Sequence, residues 1–486
     1  MSLSVTMAFK EIQCVRCGGH ALQIEAESIQ CQHCGTSYQL LHGVPILFPD
    51  VIVRKSSEKP SEAFVSSLID AMSLPKDAET MAQLQEVFST TYRFGDFLLD
   101  AENQFLSRLK ACGIDVTESD QYQAQSFTFT PHVQTGLKQK AVKKVKTFVS
   151  DLLKTEAESD VSDQEKELLP RYRWVLDYLP RSMQANTEFT ANVRIENIGS
   201  VPITSTAIAP AMASYHWRTE SGEMAIFDGC RTPFPIELSA GQQLTLPVKI
   251  KTPEQPGNYI LELTIVLEGK AWLDGDAKQI PIQVGSEPLP DLTTGWKITD
   301  IQLSYQDDHS RSLELLKDRL EKTGKSRFTL LEIGGNVHPM VIGFSGEIYN
   351  LDVDIYGLQI GTMLNRYWQK EVQFICADAN NLPFADQTFD AIVLASTLHH
   401  FPDVVGFLRS LSRKLQPGGF IAALSEPVGH YYGASIPYEL LRDLRTGVNE
   451  QTFMPFEYAD IFRRAGLDAE VQIDAGSLKA FLTPKR

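Results

Sequence analysis

Apolar residues recur in three rhythms along this chain, and the changes of rhythm divide it. Between residues 186 and 287, "FTANVRIEN", "QLTLPVKIKT", "NYILELTIVLEG" and "KQIPIQVG" alternate apolar with polar positions and are spaced by Gly, Pro, Asn and Asp. Period-two alternation lays one face of each run on a core, and the turn residues between runs predict an antiparallel β-sandwich. From 56 to 185, "EAFVSSLIDAM", "AENQFLSRLKACG" and "VKKVKTFVSDLLK" each gather their apolar residues on one helical face, and "LLPRYRWVLDYLP" is read as a further helix. A helical segment is predicted there, its last helix ending at Pro180. Past the linker "GSEPLPDLTTGW", residues 295 to 486 read as strand, loop and helix in repetition, beginning with the helix "SRSLELLKDRLEK" and the strand Phe328 to Ile333. That alternation predicts a parallel, Rossmann-like α/β sheet.

Residues 1 to 55 follow a different logic, set by cysteine. Cys14-x-x-Cys17 and Cys31-x-x-Cys34 stand thirteen residues apart, and a glycine follows each pair. Two thiolates three positions apart converge on one metal from a tight turn, and two such knuckles close a tetrahedral shell. The intervening "ALQIEAESIQ" alternates as a short hairpin strand does. A zinc ribbon with structural Zn2+ is expected, with His20 and His33 as surface residues outside the filled shell. Cys112, Cys230 and Cys376 have no partner pattern and are expected to be core thiols.

Charge narrows the partners. With 45 basic and 61 acidic residues the chain carries a net −16, which disfavours wholesale attachment to nucleic acid or anionic lipid. Lys138, Lys140, Lys143, Lys144 and Lys146 form a basic cluster, but no aromatic residue interleaves with it and acidic "TEAESDVSDQEKE" follows, so it reads as a solvated helix face. No leader-like or membrane-spanning run is evident, and a cytoplasmic protein is expected.

The chemistry concentrates in the last region. "TLLEIGGNVHP" runs a strand through Glu332 into Gly334, Gly335 and Asn336, where a nucleotide loop would place more glycine. About twenty residues later Asp354 is assigned to the end of a second strand, where a carboxylate accepts ribose hydroxyls. Asp378 and Ala379 follow a third strand, and His399 and His400 follow a fourth. Glu426, His430, Tyr431 and Tyr432 follow the fifth, and "GVNEQTF" with Asn449 and Glu450 is a further loop candidate. Asn is the non-glycine residue most tolerant of positive φ, so the altered loop is expected to remain competent.

This ordered series resembles the class I S-adenosylmethionine-dependent methyltransferases, especially their small-molecule branch. The resemblance implies that Glu332, Gly334, Gly335, Asn336, Asp354, Asp378 and Ala379 hold the cofactor, Asp354 at its ribose and Asp378 with Ala379 at its adenine. Leu382-Pro383-Phe384 matches the family's usual continuation. It offers His399 or His400 as the base for a hydroxyl acceptor. "SYQLLHGVPILFPD" after the second knuckle resembles the small zinc ribbons found beside bacterial methyltransferases. In the sandwich, Tyr215, His216, Trp217, Arg231, Thr232, Pro233, Tyr259, Glu268 and Trp272 resemble the immunoglobulin-like modules appended to enzymes of polysaccharide loci. Together these resemblances imply O-methylation of a saccharide or glycan precursor, with the ribbon or sandwich available to a protein partner. Two other functions are weighed: an inactive scaffold of a glycan-assembly complex, and an RNA or translation-factor methyltransferase.

Overall fold

The computed structural model describes residues 11–25, 27–48, 51–55, 60–72, 74–94, 169–176, 178–287, 290–430, 438–445 and 447–485. The helices expected at "AENQFLSRLKACG" and "VKKVKTFVSDLLK", the lysine cluster and the acidic stretch all lie outside them.

The cysteine-bearing segment is an antiparallel meander of β1 (Leu22–Ile24), β2 (Ser28–Cys31), β3 (Ser37–Leu41) and β4 (Val44–Ile46). It does not stand alone. Ile46 pairs in parallel with Cys376, and the meander thereby continues a twelve-stranded sheet that runs through the C-terminal region. The pair β5 (Val51–Lys55) and β6 (Thr90–Phe94) brackets α1 (Glu62–Ala71) and α2 (Ala78–Phe88), whose starts are capped by Ser61 and Asp77. "EAFVSSLIDAM" is thus helical as expected, while β6 shows that the segment is not helical throughout.

"LLPRYRWVLDYLP" corrects the expectation further. Its described residues form no helix: Tyr172–Val175 is strand β7, paired with the first long sandwich strand. Tyr172 and Trp174 are buried while Arg173 between them is exposed, a period-two pattern that the aromatic side chains disguised as a helical face. The sandwich therefore starts inside the segment read as helical. Its smaller sheet holds β7, β9 (Glu188–Asn197) and β13 (Gln243–Lys251). Its larger one is built on β10 (Ala211–Thr219), β14 (Gly257–Leu267) and β16 (Lys278–Gly285), edged by β8 (Ser182–Gln184), β11 (Met224–Ile226), β12 (Thr232–Pro233) and β15 (Ala271–Trp272). Val193, Ile195, Leu246 and Val248 of the first sheet meet Trp217, Leu261, Leu263 and Ile265 of the second in one core. Tyr215 and Trp217 are core residues, the Trp217 indole N–H donating to Lys251 O at 2.9 Å. His216 points the other way, stacked on half-exposed Phe227 and tilted against Trp272, over which Arg231 lies.

The C-terminal region runs β17 (Lys297–Thr299), α3 (Tyr305–Glu321), β18 (Phe328–Ile333), β19 (Gly346–Asp352), α4 (Ile355–Tyr367), β20 (Val372–Cys376), β21 (Phe389–Ala395), α5 (Val404–Lys414), β22 (Leu415–Pro427), α6 (Tyr438–Arg445), α7 (Pro455–Ala465), β23 (Leu467–Asp474) and β24 (Ser477–Pro484). In space the sheet reads β20-β19-β18-β21-β22-β24-β23, parallel until antiparallel β24 enters between β22 and β23. The order reverses at β18, so β18 and β21 diverge from a switch point whose C-terminal edge forms a crevice. The central strands are buried on both faces, as helices on each side of a parallel sheet require.

Candidate active site

Glu332, the loop glycines, Asn336, Asp378, His399, His400 and Glu426 lie along that edge. Gly334 has φ +81°, and a Cβ there would lie 2.5 Å from Thr397 Oγ1. At Gly335 a Cβ would come within 2.6 Å of Asn350 Oδ1 and 2.8 Å of Pro339 Cβ. Both glycines are therefore sterically required. Asn336 takes φ +46°, the left-handed conformation in which Asn replaces glycine most readily. Its backbone N–H donates to Asp352 Oδ2 at 3.1 Å and its side-chain amide to Asp354 Oδ2 at 2.7 Å, while its carbonyl accepts from Asn350 at 2.7 Å.

Glu332 lies beneath the loop, almost wholly buried, and accepts from the Val341 N–H at 2.9 Å. Burial pushes its carboxyl up to about 7, although the Val341 and Met340 amides act the other way. It braces the loop from below.

Asp354 needs correction. It is fully buried and serves as the N-cap of α4, its Oδ1 accepting from the Gly357 N–H at 3.1 Å. The second strand ends two residues earlier, at Asp352, twenty positions after Glu332. Asp352 Oδ1 accepts from the Val353 and Asp354 amides at 2.7 and 3.0 Å, and the Ala377 N–H donates to its carbonyl at 3.1 Å. Asp352 thus joins the ends of three parallel strands in the crevice. Counting twenty residues from Glu332, and letting the cap of α4 start the helix, finds it from sequence.

Asp378 opens the turn Ala379–Asn381 and accepts from the Asn380 backbone at 2.9 Å. The same loop is tied to the cysteine meander: the Gln13 N–H donates to Pro383 O at 2.7 Å, Asn381 donates to Val15 O at 3.2 Å, and Ile12 bridges Phe384.

On the other side of the switch point, His399 and His400 occupy a short turn, Leu398–His400. Buried Glu426 takes backbone N–H bonds from Thr397, Leu398 and His399 at 2.8, 2.8 and 3.2 Å, and its Oε2 lies 2.8 Å from His399 Nδ1. A carboxylate only accepts, so this contact places a proton on Nδ1, leaving Nε2 on the far side of the ring. Glu450 approaches His399 Nε2 at 3.6 Å and His400 Nδ1 at 3.2 Å. Its loop is held by the sandwich, through a Thr245–Asn449 hydrogen bond and Asn192 donating to Thr452 O at 2.8 Å. His430 is apart from this group, 2.6 Å from buried Glu457. Tyr431 and Tyr432 lie outside the described residues. Glu457 and Asn350 had no signature in the sequence, since each is a single polar residue in an otherwise apolar or irregular stretch.

The four cysteines also converge. One sulfur from each lies within 4.8 Å of the others, with Cys14–Cys34 and Cys17–Cys31 at 3.6 Å. Sulfurs about 2.3 Å from one tetrahedral ion would stand roughly 3.8 Å apart, so the donor set and spacing fit zinc. Gly18 and Gly35 take φ of +69° and +73°, turning the backbone after each pair.

The C-terminal region is similar to known methyltransferases. Residues 333–423 match the family model described as a methyltransferase domain. The chain is 29% identical over 212 residues to the 27-O-demethylrifamycin SV methyltransferase of Amycolatopsis mediterranei, covering 40% of this chain and 76% of that one. It is 34% identical over 83 residues to the demethylmenaquinone methyltransferase of Staphylococcus saprophyticus, spanning 17% of this chain and about a third (35%) of that relative. A solved SAM-dependent methyltransferase from Aquifex aeolicus overlaps 36% of this chain and 97% of its own, at 18% identity and a TM-score of 0.27. Among the described residues no helix is long and apolar enough to cross a membrane. With the loop, the switch-point crevice and the matched residues together, the chain is an S-adenosylmethionine-dependent methyltransferase with a class I, Rossmann-like domain at its C-terminal end.

Proposed function

We propose that this enzyme methylates a hydroxyl oxygen, and that its acceptor is a saccharide or glycan precursor. The observation that carries the oxygen is the His399–Glu426 pair at 2.8 Å, one strand away from the glycine loop. Bound S-adenosylmethionine supplies an electrophilic methyl group, so a hydroxyl acceptor needs alignment and somewhere for its proton to go. Gly334 and Gly335 let the loop pack against Thr397, Asn350 and Pro339 at the strand ends, and Asp352 would accept the ribose hydroxyls. Asp378 and Ala379 line the next strand end, where the adenine would lie. Glu426 fixes the tautomer and ring orientation of His399, so that Nε2 can receive the proton, with His400 beside it as the second candidate base. The oxygen acceptor is in keeping with the rifamycin relative, whose name specifies an O-methylation. The saccharide rests on the resemblance of the sandwich, whose β9 and β13 reach the loop that carries Glu450.

Cys14, Cys17, Cys31 and Cys34 would hold a structural Zn2+ in the same reading. Its role is to brace the Asp378 loop, since four thiolates leave no open position for chemistry.

Transfer of radiolabelled methyl from S-adenosylmethionine to a panel of nucleotide sugars and oligosaccharides, with quinols, RNA and protein in parallel, tests the acceptor class. Label in a sugar methyl ether supports the reading; transfer only to carbon, RNA or protein overturns it.

A further inference from the structure

The turn after β21 sets His399 and His400 against two carboxylates, Glu426 and Glu450. Glu426 is occupied by three backbone amides and His399 Nδ1. His399 Nε2 faces a Glu450 carboxylate oxygen at 3.6 Å. His400 Nδ1 lies 3.2 Å from the other Glu450 oxygen and 3.0 Å from Asn449 O, and the two imidazole rings are 4.1 Å apart. One donor atom from each of His399, His400 and Glu450 falls within 4.8 Å of the others. Nitrogen and oxygen ligands about 2.1 Å from a common ion stand roughly 3.0–3.4 Å apart, so small side-chain rotations complete the convergence.

We propose that His399, His400 and Glu450 form a divalent-cation site on the acceptor side of the cleft. Two imidazoles and one carboxylate leave coordination positions for an acceptor oxygen. Glu426 stands behind His399 as a carboxylate commonly stands behind a metal-binding imidazole, fixing its ring and tautomer. The sandwich contributes by anchoring the Glu450 loop through Asn192 and Thr245. The purpose of the site rests on the O-methylation reading: the ion would orient the hydroxyl and ease release of its proton to water as the methyl–sulfur bond breaks, leaving S-adenosylhomocysteine, and the carbon–oxygen bond forms. With the ion bound, the imidazoles act as its ligands, and the base role belongs to the ion-free pair.

The test is a Mn2+ titration of zinc-loaded, full-length protein followed by electron paramagnetic resonance, because Mn2+ favours nitrogen and oxygen over the thiolates of the ribbon. One Mn2+ per chain is expected, with Glu450→Gln and His400→Asn each weakening it about tenfold or more. Binding of S-adenosylhomocysteine by the same samples reports whether the variants are folded. No Mn2+ uptake by protein that binds S-adenosylhomocysteine overturns the site, as does uptake equal in wild type and both folded variants. If Mn2+ binds and responds to the substitutions while S-adenosylhomocysteine does not bind, the ion site stands and the methyl-transfer reading falls.

Discussion

Asn336 donates its side-chain amide to Asp354 at 2.7 Å, so the residue that replaces a loop glycine is keyed to the start of α4. The fit is close: a Cβ on Gly357 would come within 2.2 Å of Asn336 Oδ1. The loop and the helix start have been adjusted to one another. Asp354→Ala should therefore lower stability by about 1–2 kcal/mol, through loss of the cap and of the Asn336 bond. Urea denaturation measures it; a loss of cofactor affinity with unchanged stability would return Asp354 to the ribose role.

Gly335 should tolerate no side chain. The methyl of Gly335→Ala would press on Asn350 Oδ1, Pro339 and the Glu332 carboxyl carbon, the last at 3.0 Å. A destabilisation of about 1–3 kcal/mol is expected, together with weaker S-adenosylhomocysteine binding by calorimetry. Wild-type affinity in the alanine variant would show that the loop does not approach its ligand closely.

Glu332 predicts a pH dependence. Burial raises its carboxyl to about 7, above roughly 4.3 for glutamate in an unfolded chain. The folded protein thus holds this proton more tightly than the unfolded chain does. The associated stability is fully present below the unfolded value and lost as pH rises through 7. Urea midpoints should fall between pH 5 and about 7.5, and Glu332→Gln should flatten that decline. An identical slope in the variant would assign the effect to other groups.

The cysteine meander should influence cofactor affinity without touching the cofactor. It grips the Asp378 loop through Gln13, Val15 and Ile12, and the strand before it through Ile46. Removing zinc with a chelator, or changing Cys34→Ser, should lower the melting temperature and weaken S-adenosylhomocysteine binding several-fold. Unchanged affinity in metal-depleted protein would reduce the meander to an independent appendage.

Sequence period was a good guide where one face of an element is buried and a poor one where aromatic residues crowd a short stretch. The sandwich strands from Phe189 onward and the helix before β18 were legible because their apolar spacing admits one solution. Tyr172 and Trp174 misled because a strand of only four residues is too short for its period of two to stand out from the flanking apolar positions. The pairing of Ile46 with Cys376 joins positions distant in the chain and leaves no local trace. Glu332, the glycines and the histidines lie on one sheet edge, as their order along the chain implied. Two aspartates flank Val353, and the strand ends at Asp352 while Asp354 caps α4, which the sequence order alone does not decide. Glu426 and Glu450 were named as loop candidates, but their convergence on His399 depends on the sheet and on the sandwich behind it.

The central claim is that "LEIGGNVHP" still forms a working cofactor site, and calorimetric titration of zinc-loaded protein with S-adenosylmethionine and S-adenosylhomocysteine tests it most directly, with Asp352→Ala and Asp354→Ala as comparisons. The account predicts micromolar binding of both ligands, with the Asp352 variant losing it and the Asp354 variant retaining it at reduced stability. Absence of binding by a folded protein, or binding indifferent to Asp352, would contradict it.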